Sequence, residues 1–183
     1  MSDAETHILW RIRTWVWSGF YDREDVLLML DDVLEPSVDA DQMRAAVRKE
    51  FREKLVAERG WPAVTDPDRL SSAFDELDAQ GICALQNAGV TQSDGYNDVL
   101  HAITGKEAKY RGYCFFHEQD LERAIAGQGL YIAFGLIDTG SRDVELGKSV
   151  HRALVNQGFV VDWDETAKTR ILVRNIEWLR RRN

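Results

Sequence analysis

Polar side chains that could bind a ligand gather in three segments, each of which follows a predicted strand: residues 87–95, 117–120 and 138–142. If these strands are parallel, all three segments leave one edge of the sheet, where open α/β sheets bind ligands. A small-ligand site at this edge is therefore one functional hypothesis. In such a site, the candidate ligand-binding residues are Asn87, Ser93, Asp94, His117, Asp120 and Arg142.

The first segment leads from a strand into a helix, which points backbone N–H groups toward any bound anion. It has neither the lysine of a phosphate loop nor GxGxxG spacing, so it is a weak phosphate signal. Helix capping explains the same residues. Thr91 with Asp94 three positions later suits a capping box, and Ser93 is an alternative cap.

The second segment places a thiol and an imidazole, Cys114 and His117, three residues apart. A nucleophilic pair would need them to meet, but the period of two in a strand sends them to opposite faces. A metal site formed by Cys83, Cys114 and His117 would lack a fourth ligand and a CxxC pair. We therefore expect buried, inert thiols, no metal and no cofactor. Negatively charged side chains are favourable at the start of a helix because they complement the helix dipole, so Asp120 needs no catalytic role.

The elements that position these segments begin at a repeated signal: Gln-Gly followed by an apolar run occurs at Gln80-Gly81, Gln128-Gly129 and Gln157-Gly158. Each glycine can adopt the left-handed conformation that ends a helix, and a strand-length apolar run follows. The pattern predicts an α+β fold, with a mixed sheet of about five strands covered by helices. The last two strands, joined by the turn at 164–168, should form an antiparallel hairpin.

Residues 1–60 carry three helical patterns, the second and third of which begin at the acidic caps Asp22 and Asp39. We expect residues 1–60 to form an N-terminal helical extension and residues 61–183 an α+β domain, together in one compact unit.

On the first helix, Trp10 and Trp17 lie opposite the apolar stripe that contains Trp15. Something should cover these two indoles, either the C-terminal segment near Trp178 or a second copy of the helix. Whether the protein is a monomer or a homodimer therefore stays open.

Charge is distributed unevenly along the chain. The net charge is −8, and residues 22–41 contain eight carboxylates against one arginine. Residues 165–183 carry six basic side chains against two acidic ones. An acidic body is repelled by nucleic acid, so a nucleic-acid partner is not expected. An acidic surface fits a protein partner instead.

Several features point to a cytoplasmic protein. The two cysteines lie in apolar strands, as reduced thiols do. Basic residues interrupt the N-terminal apolar stretch before it could serve as an export signal. No apolar run approaches the roughly 20 residues needed to span a bilayer, so no membrane association is expected.

A set of short motifs between about residues 60 and 175 resembles an uncharacterised bacterial domain family of unknown function. The resemblance implies no activity that could be transferred to this chain. Its motifs are Trp61-Pro62, Thr65-Asp66-Pro67-Asp68-Arg69-Leu70, Ala73-Phe74, Gly81-Ile82, Gln86-Asn87-Ala88-Gly89, Ser93-Asp94-Gly95, Gly112-Tyr113, Phe116-His117 and Gln119-Asp120-Leu121.

Two functions therefore remain in view. The first is a non-catalytic protein-interaction or regulatory module that uses its acidic surface, favoured because no strong catalytic spacing is present. The alternative is an enzyme or small-ligand-binding protein that uses the strand-exit loops, in which His117 and Asp94 would be exposed polar groups.

Overall fold

The computed structural model describes residues 2–139 and 141–182. Its N-terminal part consists of three helices. They are α1 (Asp3–Ser18), α2 (Arg23–Val33) and α3 (Ala40–Ala57). The side chains of Ser2, Asp22 and Asp39 accept hydrogen bonds from first-turn N–H groups that have no carbonyl partner within their helix. The predicted caps Asp22 and Asp39 are therefore confirmed.

The three helices share one apolar core. Each contributes side chains spaced three or four residues apart, so that one stripe of each helix faces inward. The fully buried members are Ile12, Val16, Val26, Leu30, Met43 and Val47. Burial of a large aliphatic side chain contributes roughly 1.5–3 kcal/mol, so this core is the main source of stability for these helices.

Trp17 and Trp10, on the other side of α1, differ in their surroundings. Trp17 Nε1 donates a hydrogen bond to the Glu50 carboxylate of α3 at 2.6 Å, and the Arg13 guanidinium lies 4.8 Å from the indole centroid. Trp10 stacks on His7 and stays exposed. The cover at Trp17 therefore comes from α3, which packs along α1, and this source was not among the expected ones.

The rest of the chain alternates helices and strands. Its elements are α4 (Asp66–Ala79), β1 (Ile82–Leu85), α5 (Gln92–Ile103), β2 (Gly112–Phe115), α6 (Glu118–Ile125), β3 (Leu130–Leu136), α7 (Val144–Asn156), β4 (Val160–Asp162) and β5 (Ile171–Arg174). Gly81 and Gly158, with φ values of 79° and 82°, follow the ends of α4 and α7 in the left-handed region that ends a helix. After α6, which ends at Ile125, Gly127 takes this place with a φ of 74°, and Gly129, with a φ of 81°, directly precedes β3. The predicted role of the Gln-Gly glycine in ending a helix is thus confirmed at Gly81 and Gly158 but not at Gly129.

The sheet has the strand order β1-β2-β3-β5-β4. β1 and β2 are parallel, whereas the β2/β3, β3/β5 and β5/β4 pairs are antiparallel. The predicted α+β fold, its mixed sheet and its terminal hairpin are confirmed.

Helices cover the sheet on two sides. Cys83, Phe115 and Ala133 on one face cluster with Val99 and Ile103 of α5. The residues next to these in each strand point to the other face of the sheet, where α7 packs against β3. The backbone of Gly112 in β2 leaves room there for Leu146 of α7, whose Cδ1 would lie only 1.8 Å from an added Cβ.

The chain divides into two compact units, with boundaries at Thr65/Asp66 and at Trp178/Leu179. We call the first, which contains α1–α3 and residues 179–182, the helical unit, and the second, from α4 to Trp178, the α+β unit. Within the helical unit, Arg181 Nη2 donates to the carbonyl oxygens of Trp61 and Pro62 at 3.2 and 2.8 Å. No helix in the described part of the chain is both long and apolar enough to cross a membrane.

Candidate functional site

Two of the three predicted loops lie together at one edge of the sheet. Because β1 and β2 are parallel neighbours, both strands end at this edge. Two backbone hydrogen bonds tie their exit loops together: Ala88 N–H donates to Phe116 O at 2.9 Å, and Glu118 N–H donates to Gly89 O at 3.0 Å. Five of the six predicted residues belong to these two loops, the exception being Arg142.

The third predicted loop leaves the opposite edge. β3 is antiparallel to β2, and its last residue pairs with the first residue of β2. Arg142 Nη1 donates there to the carbonyl oxygens of Ala167 and Lys168 at 3.2 and 2.5 Å, which ties its loop to the β4–β5 turn. The expected meeting of three loops is wrong, because it required parallel strands throughout. Gly140 of this loop lies outside the described residues.

In the first loop, the polar side chains of Thr91 and Asp94 cap the start of α5. Thr91 Oγ1 accepts a hydrogen bond from Asp94 N–H at 3.4 Å, and the Asp94 carboxylate accepts one from Thr91 N–H at 3.0 Å. Hydrogen bonds from Thr91 hold the pKa of Asp94 below its usual value. Ser93 is exposed and its Oγ lies 3.1 Å from Thr91 Oγ1. Asn87 turns the chain with a φ of 52°. Of the two predicted caps, Thr91 is the one used.

His117 and Asp120 form the corresponding cap of α6, but inside the protein. His117 Nδ1 accepts a hydrogen bond from Asp120 N–H at 3.4 Å, and His117 Nε2 lies 3.0 Å from Asp120 Oδ2. The two residues are only 5% and 1% exposed. The expectation that His117 would be an exposed polar group is wrong, because it directly follows β2 between the buried side chains of Phe116 and Leu121.

Arg170, just before β5, completes this group and was not among the predicted residues. Its Nη1 donates to Asp120 Oδ2 at 2.9 Å and to Oδ1 at 3.0 Å. Its guanidinium also lies 4.8 Å from the ring centroid of Tyr131, a cation–π contact. The sequence places Asp120 beside Leu121 on the buried side of α6, and a buried carboxylate needs a cation nearby to compensate its charge. Nothing local indicates which cation this is.

Burial opposes ionisation of both titratable members of this group. It raises the pKa of Asp120, against the opposing effects of Arg170 and His117. It also lowers the pKa of His117, against the opposing effect of Asp120. In the neutral tautomer in which Nδ1 accepts from the backbone, Nε2 carries the hydrogen and faces Asp120 Oδ2, and Arg170 Nη1 lies 3.4 Å from the same nitrogen.

In the group formed by His117, Asp120 and Arg170, the hydrogen-bonding atoms are already used within the protein. A general base needs a lone pair within hydrogen-bond reach of a substrate. The only lone pair of the neutral imidazole, on Nδ1, is taken by the backbone of α6. In this arrangement the group fixes the start of α6 and leaves no proton acceptor on His117 open to a substrate.

A cavity of about 220 Å³ lies next to this group. Arg170 and Tyr131 line it, together with the carboxylates of Asp162 and Asp164. Asp162 is paired with Arg174, and Asp164 Oδ1 accepts hydrogen bonds within its own turn. Two carboxylates against one guanidinium make the cavity a poor host for an anion.

The two cysteines occupy opposite faces of the sheet. The register places Cys83 beside Tyr113, so that Cys83 and Cys114 point to different sides. Both thiols are free and buried, and burial raises their pKa, that of Cys83 to about 11. Among residues 2–139 and 141–182, no group of three or more His, Cys, Asp or Glu side chains could hold a metal ion.

The exposed side of α2 carries a different constellation, which we call the acidic face. Its members follow helical spacing and all face solvent; they are Glu24, Asp25, Leu28, Asp31 and Asp32. Leu28 is 67% exposed in the middle of four carboxylates. Asp31 accepts a hydrogen bond from Arg44 of α3 at 2.7 Å.

Two comparisons give no relative from which a function could be inferred: no curated protein and no solved structure matches the chain. The third does match, and it extends the expected resemblance from about residues 60–175 to nearly the whole sequence. A family model described as a domain of unknown function, DUF6891, covers residues 1–182, so the chain belongs to this family.

Proposed function

We propose that this chain is a cytoplasmic, non-catalytic interaction module that holds a basic protein partner against the acidic face of α2. The observation that carries the proposal is Leu28, an aliphatic side chain that is 67% exposed within a ring of carboxylates. The two buried, free thiols of the α+β unit support a reducing location.

Leu28 and its surroundings have the anatomy of a small protein-binding surface. A central apolar side chain loses its water on binding and contributes roughly 1.5–3 kcal/mol. Surrounding charges contribute chiefly to the rate of encounter and to the choice of partner. Carboxylates around a leucine therefore favour a partner that presents an apolar side chain among lysines or arginines.

The charge of the acidic face also argues against two other occupants. A second copy that presented its own acidic face would bring carboxylates against carboxylates, and like charges in contact cost several kcal/mol. Nucleic acid would meet the same repulsion from its phosphates. A basic protein segment is the occupant that the charge favours.

The strand-exit loops supply the alternative, a small-ligand site or an enzyme built around His117 and Asp120. Its specific support is that both residues are buried with shifted pKa values, which is common at functional sites. Structural ion pairs shift pKa values in the same way. Because Arg170 and the backbone of α6 already occupy both side chains, we rank this alternative second.

A peptide titration tests the proposal. The probe is a synthetic amphipathic helix with leucine at every third or fourth position and lysine elsewhere. We expect the wild type to bind it in a salt-sensitive manner, and Leu28→Ser combined with Asp32→Asn to weaken binding about tenfold or more. Val155→Ser, a similar truncation of an exposed side chain on α7, is the control. Equal affinity of both variants would contradict the proposal.

A further inference from the structure

The helical unit contains a cavity of about 610 Å³, within the size range of sites for small metabolites. The side chains of α2, α3 and the C-terminal residues line it. Apolar surface comes from Phe51 and Leu55, and positive charge from Lys54, Arg23 and Arg182. Its remaining lining residues are acidic: Asp22, Glu24 and Glu58.

Lys54 is the unusual member of this lining. Its side chain is only 4% exposed, and its Nζ donates one hydrogen bond, to Val16 O near the end of α1, at 3.1 Å. Capping of α1 accounts for that one N–H group. The nearest carboxylate oxygen, Glu58 Oε1, lies 3.8 Å away, beyond hydrogen-bond distance. Among the described residues, the other two N–H groups of the ammonium have no hydrogen-bond acceptor.

The charges around Lys54 are unbalanced. The pKa of Lys54 is lowered to about 8, mainly by burial and also by the positive charges of Arg180 and Arg182, against the opposing effect of Glu58. At the Lys54 ammonium, Glu58 is thus the one carboxylate that opposes two further cations, whereas across the whole lining three basic side chains meet three acidic ones. Asp22 is engaged as the cap of α2, and Glu24 is exposed on the acidic face. A negatively charged group in the cavity would supply the missing charge and accept the spare N–H bonds.

We propose that this cavity binds a small organic anion whose phosphate or carboxylate group contacts Lys54 and Arg182 and whose apolar body packs on Phe51 and Leu55. The cavity shares Glu24 with the acidic face, but the proposed ligand contacts are made by other side chains, so the proposal does not depend on the protein-binding role of that face. Phosphate and carboxylate share the chemistry that a lysine and an arginine recognise. The volume leaves room for a body larger than the charged group alone.

The test uses phenyl phosphate, inorganic phosphate and benzoate as probes on the full chain. The titration of Lys54 is followed by NMR of its side-chain carbon next to the amine. An anion bound at Lys54 raises its pKa above about 8, because it favours the charged amine. We expect phenyl phosphate to bind more tightly than inorganic phosphate. Benzoate shows whether a carboxylate suffices.

Two exposed arginines provide a matched pair of variants. Arg182→Gln should weaken phenyl phosphate binding about tenfold, through loss of one charged contact. Arg52→Gln removes the same charge from an exposed position of α3 outside the cavity lining and should leave binding unchanged. Neither change removes a buried side chain, so both proteins should fold. An unmoved Lys54 titration with every probe, or equal losses in the two variants, would overturn the proposal.

Discussion

Asp120 in the α+β unit and Asp32 in the helical unit are the same side chain in opposite surroundings. Asp120 is almost fully buried, with Arg170 and His117 bonded to its oxygens. Asp32 is exposed, and its carboxylate has no ion pair or hydrogen bond among the described residues. A buried carboxylate needs its partners inside the protein, whereas an exposed one keeps its water and remains available to a partner outside. The first therefore serves the fold, and we assign the second to binding.

The largest expected effect is on stability, from Asp120→Ala. This change leaves the Arg170 guanidinium, whose side chain is 23% exposed, without its counter-charge and removes the interactions that hold His117. Breaking a buried ion pair on one side costs about 3–5 kcal/mol, and the partial exposure of Arg170 favours the lower end. Urea denaturation measures the loss. Asp32→Ala, the control, should stay within about 0.5 kcal/mol of wild type.

A double variant sharpens this contrast. In Asp120→Ala combined with Arg170→Met, no unpaired charge remains, so part of the lost stability should return. If the double variant loses as much free energy of unfolding as the two single variants together, Asp120 and Arg170 are not coupled. The assigned interaction between them would then be wrong.

A smaller effect concerns pH. Burial lowers the pKa of His117 below its usual 6.5, so the unfolded chain takes up this proton at a higher pH than the folded chain does. The contribution of neutral His117 to stability is therefore present above pH 6.5 and is lost as the pH falls through the lowered folded pKa. His117→Asn keeps a side chain suited to helix caps and removes this titration.

We therefore expect the stability difference between wild type and His117→Asn to shrink below pH 6.5, as measured by urea denaturation at a series of pH values. Asp120, whose raised pKa acts in the opposite sense, is present in both proteins. Loss of His117 removes one of the effects that lower this pKa, so the variant gains more stability on acidification and the difference shrinks further. A difference that stays constant or widens on acidification would mean that His117 is not held neutral.

The smallest effect on stability is expected at the acidic face. Neutralising Glu24 and Asp32, to Gln and Asn, should change the free energy of unfolding by no more than about 0.5 kcal/mol per site, because both side chains are exposed. Thermal unfolding of the variant beside wild type measures this. A loss of several kcal/mol would show that these carboxylates serve the fold, as Asp120 does, and would remove the contrast.

Local signals were sufficient to predict most of the elements. Helix starts follow from single caps such as Asp22 and Thr91, and helix ends follow from glycines such as Gly81, because both depend on backbone groups only a few residues away. The buried thiols were predictable in the same way, from apolar neighbours in a strand.

Strand direction was not predictable from such signals. Gln80-Gly81 and Gln128-Gly129 are the same dipeptide directly before a strand, yet β1 runs parallel to β2 and β3 runs antiparallel to it. Direction depends on long-range pairing, which these dipeptides do not encode. This is why Arg142 was wrongly grouped with His117 and Asp94.

The candidate site was only partly predictable for a related reason. His117 and Asp120 were recognised from their place at a helix start, but their burial depends on Arg170, fifty positions beyond Asp120 in the chain. The acidic face was visible as a run of carboxylates. The exposure of Leu28 among them was not, because the charge pattern alone does not show which apolar side chains of α2 face the core.

The most direct test of the assigned binding surface is site-specific photo-crosslinking in cells that express the chain. A benzophenone amino acid replaces Leu28 in one protein and Val155, the control, in another. The account predicts a discrete crosslink to a basic protein from position 28 only, lost when Glu24 and Asp32 are neutralised. No discrete product from position 28, or the same product from position 155, would contradict it.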